Sequence, residues 1–212
     1  MERKRIDDGS AQSVKARKRK PSGAAVLQEE KTRRLEQALF EEWARHGFAG
    51  MRMESIASRA GVGKAALYRR WSSKLEMACE VLPQVGIGLG NIRDTGSLEG
   101  DITLLLRSFR ALLHHRLVRA ILPDLLAELP RNPPLADVVR GRLQHGRRAR
   151  AAEMFRRAIA RGELPPTTDI ELACDAVGAL VYWRMIMTRQ RADKQWLTGS
   201  VHLLINGLRA SG

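Results

Sequence analysis

Cysteine is scarce in this 212-residue chain: its two cysteines, Cys79 and Cys174, sit in apolar helical patterns without a CxxC spacing or nearby metal-ligand spacing. Two buried, reduced and inert thiols are expected. No apolar run approaches the ~20 residues that span a bilayer, and the charged N-terminus has no apolar stretch behind it. Neither a membrane span nor an export signal is expected, so the protein is placed in the cytoplasm. Strand-like alternation is never sustained over more than a few residues, and no repeat of solenoid period is present. An all-α chain follows.

Motifs that carry catalysis are also missing. There is no GxSxG, GxxxxGKS or GxGxxG, and the run Gly86-Ile87-Gly88-Leu89-Gly90 lacks the third glycine spacing and a preceding strand. His114 and His115 are adjacent on a helix and therefore point about 100° apart. With His145 they find no carboxylate or cysteine to complete a metal set. Asp124, Glu128 and Asp137 read as helix-face charges instead of a matched acid and base. No enzyme activity, metal or cofactor is expected.

Acidic residues are outnumbered, 23 against 37 Lys and Arg, for a formal net charge of +14. Such a surplus implies an anionic partner, nucleic acid or a membrane surface, without deciding between them.

The deciding stretch is Met53 to Lys74. Met53, Ile56, Ala57 and Ala60 recur three and four apart and form one buried stripe of a short helix. Gly61 stops it in the left-handed conformation, and Val62 folds back to the core. Gly63 serves as N-cap of a second helix that starts at Lys64 and buries Leu67 and Trp71. This is a helix-turn-helix, and burial of Leu67 and Trp71 leaves Lys64, Ala65, Tyr68, Arg69 and Arg70 outward. Small, aromatic and cationic side chains suit a helix lying in the DNA major groove. Ser73 with Glu76 makes a capping box for the next helix, which puts Lys74 in a first turn where backbone N–H groups and a cation can share one phosphate.

On these residues the chain resembles the TetR family of bacterial transcriptional regulators. The matching run is Gly47-Phe48, Met53 to Ala57, Ala60-Gly61-Val62, Leu67 to Trp71 and Ser73-Lys74, continuous and in family order. The resemblance implies that Lys64, Ala65 and Tyr68 face bases while Arg69, Arg70 and Lys74 hold phosphates. The family usually has Ser or Thr where Arg52 and Gly63 stand, and often Thr at Ala66. Hydroxyl contacts to phosphate are thus missing at these three positions of the DNA face, and Arg52 is the candidate to replace them.

Residues 1–23 hold a cluster of Lys and Arg with few apolar residues and read as a disordered basic arm able to track phosphates. Residues 24–83 form the helix-turn-helix domain: an amphipathic helix to His46, the two motif helices, and a fourth that must kink or end at Pro83. A glycine-rich connection, Gly86 to Gly96, leads to a helical regulatory and dimerisation domain over 97–209. It opens with a helix carrying Ile102, Leu105, Leu106, Phe109, Leu112 and Leu113 and another around Leu117 to Leu129. A long helix from Leu135 to Gly162 has its arginines Arg140, Arg142, Arg147, Arg148 and Arg150 on a solvated outer face. The last two helices, Ile170 to Thr188 and one capped by Asp193, are unusually apolar. Ala176, Ala179, Leu180, Trp183, Met187, Leu197, Val201, Leu204 and Ile205 either complete the monomer core or form a self-complementary interface. Resemblance to the family favours the homodimer. It also implies an apolar pocket among these helices, to which Phe109, Leu113, Leu125, Met154 and Trp183 are assigned.

The expectation is a ligand-responsive DNA-binding regulator, a repressor that binds a palindromic operator in double-stranded DNA as a dimer and is released by a small-molecule effector. The alternative is a nonspecific, architectural DNA binder driven by the charge of +14, without a ligand.

Overall fold

A computed structural model describes residues 23–85 and 93–210, and every regular element among them is helical. Residues 1–22 of the basic arm and Gly86, Gly88 and Gly90 lie outside the described residues. In chain order the helices are α1 (Gly23–Gly50), α2 (Met53–Ala60), α3 (Lys64–Arg70), α4 (Lys74–Val85), α5 (Leu98–His114), α6 (Arg116–Glu128), α7 (Pro133–Val138), α8 (His145–Ala160), α9 (Ile170–Tyr182) and α10 (Lys194–Ala210). A π-helical turn, Val139–Gln144, joins α7 to α8, and a second, Trp183–Met187, extends α9.

Local chemistry accounts for the ends of these elements. Within α1 the helical path breaks at Gly47, whose φ of 67° and ψ of 169° fall in a region populated almost only by glycine. Pro83 is accommodated in the last turn of α4, which continues past it to Val85. Ser97 caps α5 by accepting from the Gly100 N–H, and Gly162, at φ 74°, closes α8. Asp169 caps α9 by accepting from Leu172 N at 3.0 Å, while the Thr168 hydroxyl before it donates to Pro165 O. Asp193 caps α10 through Trp196 N at 2.8 Å.

The buried side chains fall into two clusters. The first joins Leu39, Trp43, Ile56, Leu67, Trp71 and Met77 of the N-terminal helices to Ile121 and Leu125 of α6 and Leu135 of α7. The second gathers Leu98, Ile102 and Leu106 of α5 with Met154 and Phe155 of α8 and the inner faces of α9 and α10. Leu122 of α6 packs against both, so α6 is a wall shared by the two.

A single carboxylate fastens this wall to the N-terminal unit. Asp124, expected as a helix-face charge, is instead a partly buried acceptor, and its Oδ2 takes the Trp43 indole N–H at 2.6 Å and the Phe48 backbone N–H at 2.8 Å. The approach is close, and a Cβ added at Gly47 would stand 3.1 Å from Asp124 Oδ1. A second latch pins the start of α5 to the end of α8. There the buried Asp101 accepts from the N–H and hydroxyl of Thr95 and faces Arg161 at 3.4 Å.

The long helix begins at Pro133, ahead of the expected Leu135, because prolines fit a first helical turn. On α10 the sequence reading needs correction: Leu197, Val201, Leu204 and Ile205 belong to the protomer's own core and are not available to a second chain. Periodicity marks an apolar face without naming its neighbour.

Each buried donor left without an acceptor costs about 1–3 kcal/mol, so Asp124→Ala should lower the unfolding free energy by about 2–4 kcal/mol. Asp124→Asn, which keeps one acceptor oxygen, should lose less. Urea unfolding of both variants at one fixed protein concentration checks this, and equal stability of Asp124→Ala and the parent would contradict it.

Candidate nucleic-acid interface and effector cavity

The turn between α2 and α3 is closed by backbone hydrogen bonds, with Val62 packed against the first core cluster. Gly61 is left-handed at φ 66°, its N–H bonds Ser58 O at 3.2 Å, and the Val62 N–H reaches back to Ala57 O at 2.9 Å. Gly63 precedes α3 in extended conformation and offers no side-chain cap. Leu67 and Trp71 are fully buried, which fixes the rotation of α3 and turns Lys64, Ala65, Tyr68, Arg69 and Arg70 to solvent, with Ala66 half-buried.

These exposed cations divide into two groups. The side chains of Arg52, Lys64 and Arg69 make no hydrogen bond or ion pair among the described residues and are free to meet an anion. Arg70 is engaged: its guanidinium donates to Thr32 Oγ1 at 2.8 Å and Glu80 Oε1 at 3.0 Å and lies 4.2 Å over the Trp71 ring. Glu80 accepts the Trp71 indole N–H as well, so this group ties α3 to α1 and α4. Lys74 is also engaged. Its ammonium donates to the carbonyls of Phe48, Ala49 and Met51 at 2.7, 2.7 and 3.4 Å, closing the end of α1. In this conformation its three protons are spent within the protein.

The capping box is present with a shift. Glu76 N donates to Ser73 Oγ at 3.1 Å as expected, but the Glu76 carboxylate reaches one residue further back and accepts from the N–H and hydroxyl of Ser72, both at 2.7 Å. These bonds hold its pKa below the usual carboxylate range.

One acidic residue on the reading face was not foreseen. Glu54 of α2 accepts the Tyr68 hydroxyl at 2.9 Å. Its own backbone N–H, then Tyr68, and after these the charges of Lys64 and Arg52 keep it ionised below the ordinary range, while the Tyr68 hydroxyl is pushed up by the same bond. The pair orients the aromatic ring whose role is at issue. Nothing in the sequence pairs an acid with a tyrosine fourteen positions on; only the angle between α2 and α3 does.

A cavity of about 520 Å³ lies in the second half of the chain between α5, α6, α8 and α9. It also touches Phe40 of α1 and Leu82 of α4, so its lining includes two helices of the DNA-binding unit. Phe109, Leu113 and Leu125 line it as expected from the sequence. Met154 and Trp183 do not: Met154 is fully buried in the core, and Trp183 is 61% exposed. The arginines of the long helix differ among themselves. Arg140 and Arg142 are solvated, Arg148 pairs with Glu171 and Asp175, and Arg147 turns into the cavity wall.

A helix-turn-helix with free cations on its second helix, followed by an all-helical domain that holds an apolar cavity, defines a DNA-binding transcriptional regulator. Residues 37–81 match the bacterial regulatory proteins of the tetR family, and residues 92–204 match the tetracyclin repressor-like C-terminal domain. The chain belongs to the TetR family. It is 26% identical over 165 residues to YdeS of Bacillus subtilis, an uncharacterized HTH-type transcriptional regulator, covering 78% of this chain and 83% of that one. The DNA-binding transcriptional repressor TetR of Mycobacteroides abscessus is 27% identical over 144 residues, 68% of this chain and 75% of its own. The fold is that of Salmonella enterica GusR, with a TM-score of 0.69 at 21% identity over 86% of this chain and 96% of that one. No described helix is long and apolar enough to cross a membrane.

Because hydrogen bonds from a charged donor are worth about 1.5–3 kcal/mol, Lys74→Met should lower stability by about 2 kcal/mol in the absence of DNA. A residue that served only to bind phosphate would leave the unfolding curve of the free protein unchanged, and calorimetry without DNA separates the two roles.

Proposed function

We propose that the protein is a homodimeric repressor whose two α3 helices read the halves of a palindromic operator, and that a small molecule bound in the cavity releases it from DNA. The carrying observation is the double duty of α6. Leu117, Val118, Ile121 and Leu122 of this helix line the cavity, while its Asp124 holds Trp43 and Phe48 beside the helix-turn-helix. An occupant that displaces α6 therefore moves the reading unit. It shifts the equilibrium only by its difference in affinity for the two arrangements.

Lys64, Ala65 and Tyr68 would meet base edges, and Arg52 and Arg69 phosphates, with Gly63 and Ala66 allowing close approach of the backbone. The dimer is supported by an uncovered apolar stripe. Leu172, Trp183 and Met187 along α9 and Leu203 of α10 are 55–65% exposed, with Ala179 exposed and Ala176 and Leu180 half-buried beside them. Such a stripe in water calls for a partner surface, and a second copy would set two recognition helices at the spacing of a palindrome. The description of the Mycobacteroides relative as a repressor supports the sign of the regulation.

The charge of +14 favours a second reading, a sequence-indifferent DNA binder. Binding to the neighbouring intergenic DNA against scrambled DNA at moderate salt distinguishes them: a footprint on a palindrome supports the regulator, and equal release of all fragments supports the rival. On the specific fragment, Tyr68→Ala should cost about tenfold or more in affinity, as loss of a base contact does, with less than about a twofold change on scrambled DNA. Equal loss on both would remove Tyr68 from base reading. Trp183→Glu should convert a dimer to a monomer at the same concentration by light scattering, and an unchanged mass would move the interface elsewhere.

A further inference from the structure

The cavity is apolar over most of its surface, yet one cation in its wall has nothing to bind. The Arg147 guanidinium makes no hydrogen bond and no ion pair among the described residues, and its Nε is shut off from solvent without an acceptor. Buried guanidinium N–H groups are nearly always satisfied, because taking them out of water without a partner is costly. The neighbouring charges do not relieve it. Arg148 also lines the cavity, but its guanidinium is spent on Glu171 and Asp175, which in turn neutralises Asp175, the carboxylate of the wall. Arg150, the other near charge, is of the same sign and has a similarly enclosed, unpartnered Nε. Burial, and then Arg150, push the Arg147 guanidinium below its ordinary pKa, as expected of a cation lacking a counter-charge.

We infer that the cavity takes an amphipathic anion, an apolar body carrying one carboxylate-like head group, and that Arg147 receives the head. A guanidinium offers a planar fork that matches a carboxylate in a bidentate manner, and the apolar walls furnished by α5 and α6 take the rest of the molecule. A volume of about 520 Å³ is that of a site for a small organic molecule, not for a bare inorganic ion. The inference rests on the reading of this cavity as an effector site and supplies the chemistry of what enters it.

The test uses the full chain and two probes of equal length, decanoate and decan-1-ol, with binding followed by calorimetry. The parent protein should bind decanoate at least about tenfold more tightly than the alcohol, the size of one charge-assisted contact. Arg147→Met should reduce that preference below about twofold while still binding decan-1-ol, which shows that its cavity is intact; Arg147→Lys should retain part of it. Equal binding of acid and alcohol by the parent, or an undiminished preference in Arg147→Met, overturns the inference. So does failure of the parent to bind either probe. Footprinting without any probe reports separately on the regulator reading: a protected palindrome with no acid preference sinks the inference alone. Acid preference without sequence-specific DNA binding leaves the anion site standing and removes its regulatory role.

Discussion

Two N–H groups, one on the Trp43 indole and one on the Phe48 backbone, converge on a single oxygen of Asp124. The indole and the amide come from either side of Gly47, so the bend at that residue presents both donors to one acceptor. A side chain at position 47 would have to share that space with the carboxylate and adopt a backbone conformation that costs about 1–3 kcal/mol. Glycine, bend and carboxylate are therefore one unit. Through it the helix-turn-helix inherits the position of α6, and α6 in turn is placed by the cavity on its other side.

The DNA-binding half is held together by cations engaged within the protein. Lys74 closes the carbonyl end of α1, Arg70 bridges α1, α3 and α4, and Arg59 of α2 meets Glu41 and the buried Glu42 of α1 at 3.6 and 3.3 Å. The partly buried ones among them, Arg59 with Glu42 and Lys74 with Phe48 O, are screened by salt much less than contacts at the surface. The side chains of Arg52, Lys64 and Arg69 take part in none of these contacts. The cations that hold this unit together and the cations left unpaired on its surface are thereby different residues.

What could be read from the chain follows the range of the interactions. The helix-turn-helix was legible because its determinants, the stripe from Met53 to Ala60, the turn at Gly61 and the burial of Leu67 and Trp71, all lie within one short stretch. The same stretch could not say what Arg70 and Lys74 bind, since Thr32 and the carbonyls of Phe48 and Ala49 come from another helix. Asp124 looked like a surface charge because its donors are 76 and 81 positions away. On α10 the apolar period was correct, but the face it marked packs inside the protomer. The arginines of the long helix were read with one uniform period, and there the chain itself is not uniform.

That departure is the π-helical turn at Val139–Gln144, just before Arg147. Such a turn accommodates one residue more than an α-helical turn, and each residue swings the following side chains by about 100° around the axis. An arginine aligned by sequence with its solvated neighbours is thereby presented to the interior. Gain or loss of one residue in this turn would exchange which side chain faces the cavity without altering any residue of the opposite walls. Proteins sharing this fold could thereby diverge in what their cavities accommodate by a change of helical phase, with no new lining residue having to arise.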